Sequence, residues 1–233
     1  MKALARWLPA LTVASAMLAI ANGTWALDQR VLLFVFKPLT TLLIIVHAWR
    51  RGLGMPSARR FVLAGLWFSL VGDVALLWPR QGFVPGLVAF LIAHVLYIVA
   101  FTREHRFAAQ PAALAIYALV AGTILAFLWG DIPSGLRIPV AAYVFALTAM
   151  AAQAAVVALL APGDDVRRAR GLLLGGALFM ASDTVLAVNR FALPVPAAGL
   201  WILATYWAAQ WLIASWLTPA PALASVDAAA TSP

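Results

Sequence analysis

Long apolar runs recur along this chain at short intervals, and that recurrence limits what it can fold into. A bilayer-crossing helix needs about 20 mostly apolar residues. Backbone placed in lipid must bond to itself, so helices are the default. Eight runs meet the requirement: Leu4–Ala21, Val31–Trp49, Phe61–Trp78, Phe83–Thr102, Pro111–Trp129, Ile138–Leu160, Gly171–Val188 and Ala197–Leu217. The expected fold is therefore all-α, a polytopic membrane bundle of eight transmembrane helices forming one domain over residues 1–218. Residues 219–233, rich in Ala, Pro and Ser, read as a disordered tail. Composition agrees, since 65% of the 233 residues are hydrophobic and only 10% are charged, against about 25% charged in soluble domains.

The net charge of +8 does not point to nucleic acid, because the basic residues sit in the connectors. With the N-terminus inside, eleven Lys and Arg lie on the cytoplasmic side, among them Arg50, Arg51, Arg59, Arg60, Arg103, Arg106, Arg167, Arg168 and Arg170. Four lie outside, namely Arg30, Arg80, Arg137 and Arg190. Both termini are thus expected in the cytoplasm of a multi-pass protein, in the inner (plasma) membrane of a bacterial cell. The first run also reads as a secretory signal, with Lys2 and Arg6 ahead of Leu8–Ile20. The next run follows so soon that a retained first helix is expected. His47 and His105 fall at span ends and are expected in solvent. A lipid bilayer is the expected surroundings, and no obligate protein partner is evident.

An internal repeat is also legible. Shifting the chain by 110 residues lays Val71-Gly72-Asp73-Val74-Ala75-Leu76 on Ala181-Ser182-Asp183-Thr184-Val185-Leu186, and Arg80 on Arg190. Four spans per repeat, 1–105 and 106–218, imply parallel halves related by an axis along the membrane normal. Asp73 and Asp183 would then face one another at equal depth.

Those aspartates belong to a small set of polar groups stranded in apolar helices: Lys37, Asp73, Asp183 and His94. An ionised side chain at mid-helix costs about 2.5–3.5 kcal/mol, so such groups must pair, stay neutral or face a wet cavity. Counted from the span ends, Lys37, Asp73 and Asp183 lie at one level in the outer half, and His94 lies nearer the midplane with Tyr97 on the same face. Snorkelling explains a lone Lys, and packing explains a lone His or Tyr. Ser69, Thr40, Thr41 and Ser182 are expected to bond their own i−4 carbonyls. Pro38 is expected to kink its helix, and Gly171-x-x-x-Gly175 suits close helix packing. The chain has no cysteine, three histidines and a single glutamate, Glu104. No motif with metal-ligand spacing is present, so neither a metal nor another cofactor is expected. Two membrane carboxylates and a lysine suit either an acid–base enzyme or a proton-coupled carrier.

At these residues the chain resembles the YhhN-type lysoplasmalogenase family of eight-span membrane proteins. The matching pieces are Phe36-Lys37-Pro38-Leu39-Thr40-Thr41, Gly72-Asp73-Val74-Ala75-Leu76-Leu77, Phe90-x-x-x-His94-x-x-Tyr97 and Leu178-Phe179-Met180-Ala181-Ser182-Asp183. They stand in the family's order on four expected helices. The resemblance implies hydrolysis of the vinyl-ether bond of lysoplasmalogens, giving a fatty aldehyde and glycerophosphoethanolamine or glycerophosphocholine. Such hydrolysis needs one protonated acid and one ionised carboxylate, as in glycosidases. Asp183 is assigned the acid and Asp73 the base, a choice the repeat does not itself decide. His94 is assigned to orienting water or shuttling the proton, completing the catalytic set. Lys37, Tyr97, Ser182 and Asn189 are assigned to binding a lysophospholipid. The alternative is a membrane transporter that uses the same buried carboxylates.

Overall fold

A computed structural model describes residues 2–24 and 30–219. The expected tail beyond Pro219 lies outside the described residues. Among the described residues eight α-helices form: α1 Lys2–Thr24, α2 Arg30–Trp49, α3 Pro56–Ala75, α4 Phe83–Phe101, α5 Pro111–Leu128, α6 Ser134–Leu160, α7 Val166–Ala187 and α8 Ala198–Trp216. A 3₁₀ turn, Gly163–Asp165, precedes α7, and a π turn, Val188–Ala192, extends it. No strand forms among the described residues. The fold is thus all-α, as read from the hydropathy. Among the described residues, five helical stretches are long and apolar enough to cross a membrane: Val31–Trp49, Phe83–Phe101, Pro111–Leu128, Ser134–Leu160 and Val166–Ala192.

Helix ends depart from the apolar runs for local reasons. Pro56 stands at the first position of α3 and starts the helix five residues before the run. Likewise α7 begins at Val166 rather than Gly171, because its basic residues are good helix formers that need no lipid. Pro38 lies inside α2, which continues unbroken from Arg30 to Trp49.

Successive helices run antiparallel through short connections. α3 packs on α4, and α7 packs on α8. α6 bridges α4 and α7, while α8 returns to α1 and α2. α5 stands outside this ring, packed mainly on α6. Small residues permit the close approaches, as membrane helices require. A Cβ on Gly175 would meet the Ala209 carbonyl of α8 at 3.2 Å. One on Gly176 would meet the Ala151 backbone of α6 at 3.1 Å. Of the expected pair Gly171-x-x-x-Gly175, Gly175 makes such an approach, whereas a Cβ on Gly171 would meet only the Leu212 side chain at 3.7 Å.

One end of the bundle is closed by arginine. Arg51 donates to the Leu217 and Ser215 carbonyls at 2.9 Å each, and Arg59 donates to the Arg51 carbonyl at 2.9 Å and the Trp49 carbonyl at 2.6 Å. His47 joins this lock and is not a solvated residue. Its ring stacks on Trp211 at 3.9 Å and Nε2 hydrogen-bonds Ser215 at 3.0 Å. Trp211 and Ser215 lie a turn apart on α8, a juxtaposition that hydropathy alone does not reveal. At the same end Gln153 of α6 is buried; it donates to the His105 carbonyl at 2.9 Å and accepts from the Ala108 N–H at 3.1 Å.

Candidate active site

The other end of the bundle holds a cavity of about 120 Å³. Its lining comes from the C-terminal halves of α3, α5 and α7 and the N-terminal halves of α2, α4, α6 and α8. Depth along each helix therefore delivers these residues to one level, as their positions in the apolar runs imply. The cavity has two kinds of wall. Aliphatic and aromatic side chains such as Leu87, Leu125, Leu128, Val144 and Met180 form most of it. Lys37, Asp73, Tyr143, Thr148, Ser182, Asp183, Thr184 and Tyr206 form the polar remainder.

Asp73 is almost wholly enclosed, at 1% exposure. Lys37 Nζ lies 3.7 Å from its Oδ1. Oδ2 accepts the Thr41 hydroxyl at 2.6 Å and the Tyr206 hydroxyl at 2.8 Å. Each donor is itself held. Trp207 Nε1 donates to Thr41 Oγ1 at 3.2 Å, and Gln210 Nε2 donates to the Tyr206 oxygen at 3.3 Å. The carboxylate thus meets one cation and two hydroxyl donors from two helices, α2 and α8. Gly72 makes room for this, because a Cβ there would meet the Phe90 ring at 2.5 Å. Phe90 in turn lines the cavity.

Asp183 stands on α7 at the same cavity and keeps partial exposure. Its Oδ2 accepts the Tyr143 hydroxyl. No cation lies within salt-bridge distance of it among the described residues. The two aspartates therefore share a cavity but not a setting.

The remaining expected residues are placed as follows. Ser182 lines the cavity and donates across to the Ile202 carbonyl of α8 at 3.0 Å. It does not bond its own i−4 carbonyl, because α8 packs closely enough to offer a better-placed oxygen. Thr41 likewise turns from its own helix to Asp73, whereas Thr40 donates to Phe36 at 2.7 Å as expected. Ser69 reaches across instead, 3.4 Å from the Tyr97 hydroxyl. Tyr97 is buried behind the polar wall and donates to Gln210 Oε1 at 2.7 Å. His94 is fully enclosed, and neither ring nitrogen has a hydrogen-bond partner. Its ring meets Tyr143 edge-on at 5.1 Å and Phe179 at 4.8 Å. Neither His94 nor Tyr97 lines the cavity. Asn189 lies exposed in the π turn, where its side-chain oxygen accepts the Val195 N–H at 3.0 Å.

Tyr143 and Tyr206, which hold the two carboxylates, carry no sequence signal that separates them from ordinary bundle aromatics. A polar tip near the level of Asp73 and Asp183 is the one available clue. No group of three or more metal-ligating side chains occurs among the described residues.

The chain matches the model of the YhhN family over residues 32–217. It is 36% identical over 178 residues to human lysoplasmalogenase TMEM86A, covering 74% of this chain and 71% of that protein. It is 40% identical over 151 residues to human lysoplasmalogenase TMEM86B, covering 62% of this chain and 58% of that protein. A lysoplasmalogenase of Mycobacterium tuberculosis is 32% identical over 185 residues, 76% of this chain and 67% of that protein. No solved structure matches the chain.

Proposed function

The chain belongs to the YhhN family, and from that premise we propose that it is a lysoplasmalogenase whose two cavity aspartates divide the work of cleaving a vinyl ether. One observation carries this reading. A carboxylate held by a lysine and a carboxyl group with no cation beside it wall the same apolar cavity.

The reaction adds water across the C=C–O unit. Asp183, lacking a cationic partner, gives its proton to the alkene carbon distant from the oxygen. The adjacent carbon becomes an oxocarbenium ion. Asp73, kept ionised by Lys37 and two hydroxyl donors, steadies that cation and takes a proton from the attacking water. The resulting hemiacetal then collapses: its O–H proton goes to Asp183, its C–O bond to glycerol breaks, and Asp73 gives its proton to the departing oxygen. The products are a fatty aldehyde and a glycerophospho-alcohol, and the proton count closes. Tyr143 aims Asp183, and His94 braces Tyr143 from behind. The aliphatic wall receives the hydrocarbon chain and excludes bulk water, which strengthens the ion–dipole contacts at the reacting atoms.

In this reading all eight helices cross the bilayer of a bacterial inner membrane with both termini cytoplasmic. The cavity then faces the outer leaflet, and the two four-helix halves descend from a parallel repeat.

Purified protein in detergent, given a 1-alkenyl lysophospholipid, should release free aldehyde and glycerophospho-alcohol in equal amounts. The saturated 1-alkyl analogue should release none. Absence of aldehyde together with lipid flux in proteoliposomes would replace the hydrolase with a carrier.

A further inference from the structure

The polar wall leaves one part of a lysophospholipid without a partner. Lys37 is already matched to Asp73, so the phosphodiester of the headgroup needs another cation. The mouth of the cavity supplies one. Phe83, at the start of α4, and Phe191, in the π turn, both line the cavity and meet edge-to-face at 5.9 Å. The guanidinium carbon of Arg190 lies 4.7 Å from the centre of the Phe83 ring. Stacking occupies the face of a guanidinium and leaves its N–H donors pointing outward in the plane, where a phosphate takes two at once.

The turn that carries Arg190 is fixed at both ends. Leu193 N–H bonds the Val188 carbonyl at 3.0 Å, and Val195 N–H bonds Asn189 Oδ1 at 3.0 Å. Single π turns of this kind recur at functional sites. Arg190 follows Asp183 by seven residues, a rise of about 10 Å. Three glycerol carbons and the reach of an arginine side chain close that gap. Arg137, at the same end, is committed elsewhere: it stacks on Trp129 at 5.4 Å and donates to the Ile132 carbonyl at 3.3 Å. Neither Arg190 nor Arg80, its mate in the 110-residue offset, lines the cavity itself, but Arg190 directly precedes the lining residue Phe191, whereas Arg80 stands three residues before Phe83.

From this placement we infer that Arg190 binds the phosphodiester of the lysolipid headgroup and makes the cavity prefer a phospholipid over a neutral monoglyceryl ether. The inference rests on the lysoplasmalogen reading, and its test uses ligands that cannot be cleaved. Saturated 1-alkyl lysophospholipid and saturated 1-alkylglycerol are titrated into the purified full chain and its variants. Arg190→Gln should raise the Kd for the lysophospholipid about tenfold to a hundredfold and leave the alkylglycerol unchanged. Arg190→Lys should show a smaller rise, because a point charge replaces a fork. Arg80→Gln should bind both ligands as the native chain does. Equal weakening for both ligands in Arg190→Gln, or no weakening for either, overturns the assignment. Millimolar inorganic phosphate that displaces lysophospholipid from the native chain but not from Arg190→Gln would reassign the site to free phosphate. Native-pattern binding without aldehyde release would remove the reaction and leave the headgroup site standing.

Discussion

Asp73 and Asp183 occupy matched positions in the 110-residue offset, yet the bundle treats them differently. Asp73 is enclosed and meets Lys37, Thr41 and Tyr206. Asp183 meets Tyr143 alone among the described residues and stays partly exposed. The lysine makes the difference. α2 carries Lys37 to Asp73, while α6 brings Tyr143 to Asp183. Different neighbours turn one residue type into two chemical tools, which is what acid–base chemistry on a vinyl ether requires.

The largest expected effect tests whether both tools are needed. Asp73→Asn and Asp183→Asn should each lower aldehyde release by at least a few hundred-fold, the scale of losing a general acid or base. Stability should separate them. Asp73→Asn strands Lys37 in the interior and should cost about 3–5 kcal/mol, read as thermal unfolding in detergent. Adding Lys37→Met should recover most of that stability and none of the activity. Asp183→Asn removes no counter-charge and should stay within about 1 kcal/mol of the native chain. Near-native turnover in either single variant would break the division of labour.

The tyrosines give the next effect down. Tyr143→Phe removes the hydroxyl that Asp183 accepts from, and activity should fall about tenfold to a hundredfold. Tyr206→Phe leaves Asp73 with Thr41 and Lys37, and the fall should be only about twofold to tenfold. The reverse order would mean that Asp73, not Asp183, is the carboxyl whose aim limits the reaction.

Much of this arrangement was legible before any coordinates, for a physical reason. Lipid penalises charge so heavily that Lys37, Asp73 and Asp183 announce themselves, and counting residues from the span ends gives their common level. Depth along a helix is a sequence property. Rotation about the helix axis and the identity of the facing helix are not. Tyr97 and His94 stand at plausible depths, but the packing of α4 turns them behind the wall. Thr41 and Ser182 read as self-bonding hydroxyls, because nothing in the chain announces that Asp73 or the Ile202 carbonyl will stand opposite. Tyr143 and Tyr206 were silent for the same reason. Asn189 sits at the expected end of α7, where its oxygen is used on the turn itself.

The smallest effect concerns His94, and it tests how far the asymmetry extends behind the cavity wall. Its imidazole is enclosed with both nitrogens unbonded and presses on Tyr143 and Phe179. A buried polar group without a partner costs about 1–3 kcal/mol, so His94→Leu should leave stability unchanged or raise it. If His94 acts by bracing Tyr143, hydrolysis should fall only a few-fold. The same change placed in Tyr143→Phe should then add nothing further, because the two residues act as one unit. A loss on the scale of the aspartate variants, additive with Tyr143→Phe, would instead make His94 a proton carrier in its own right and give Asp183 a second functional partner.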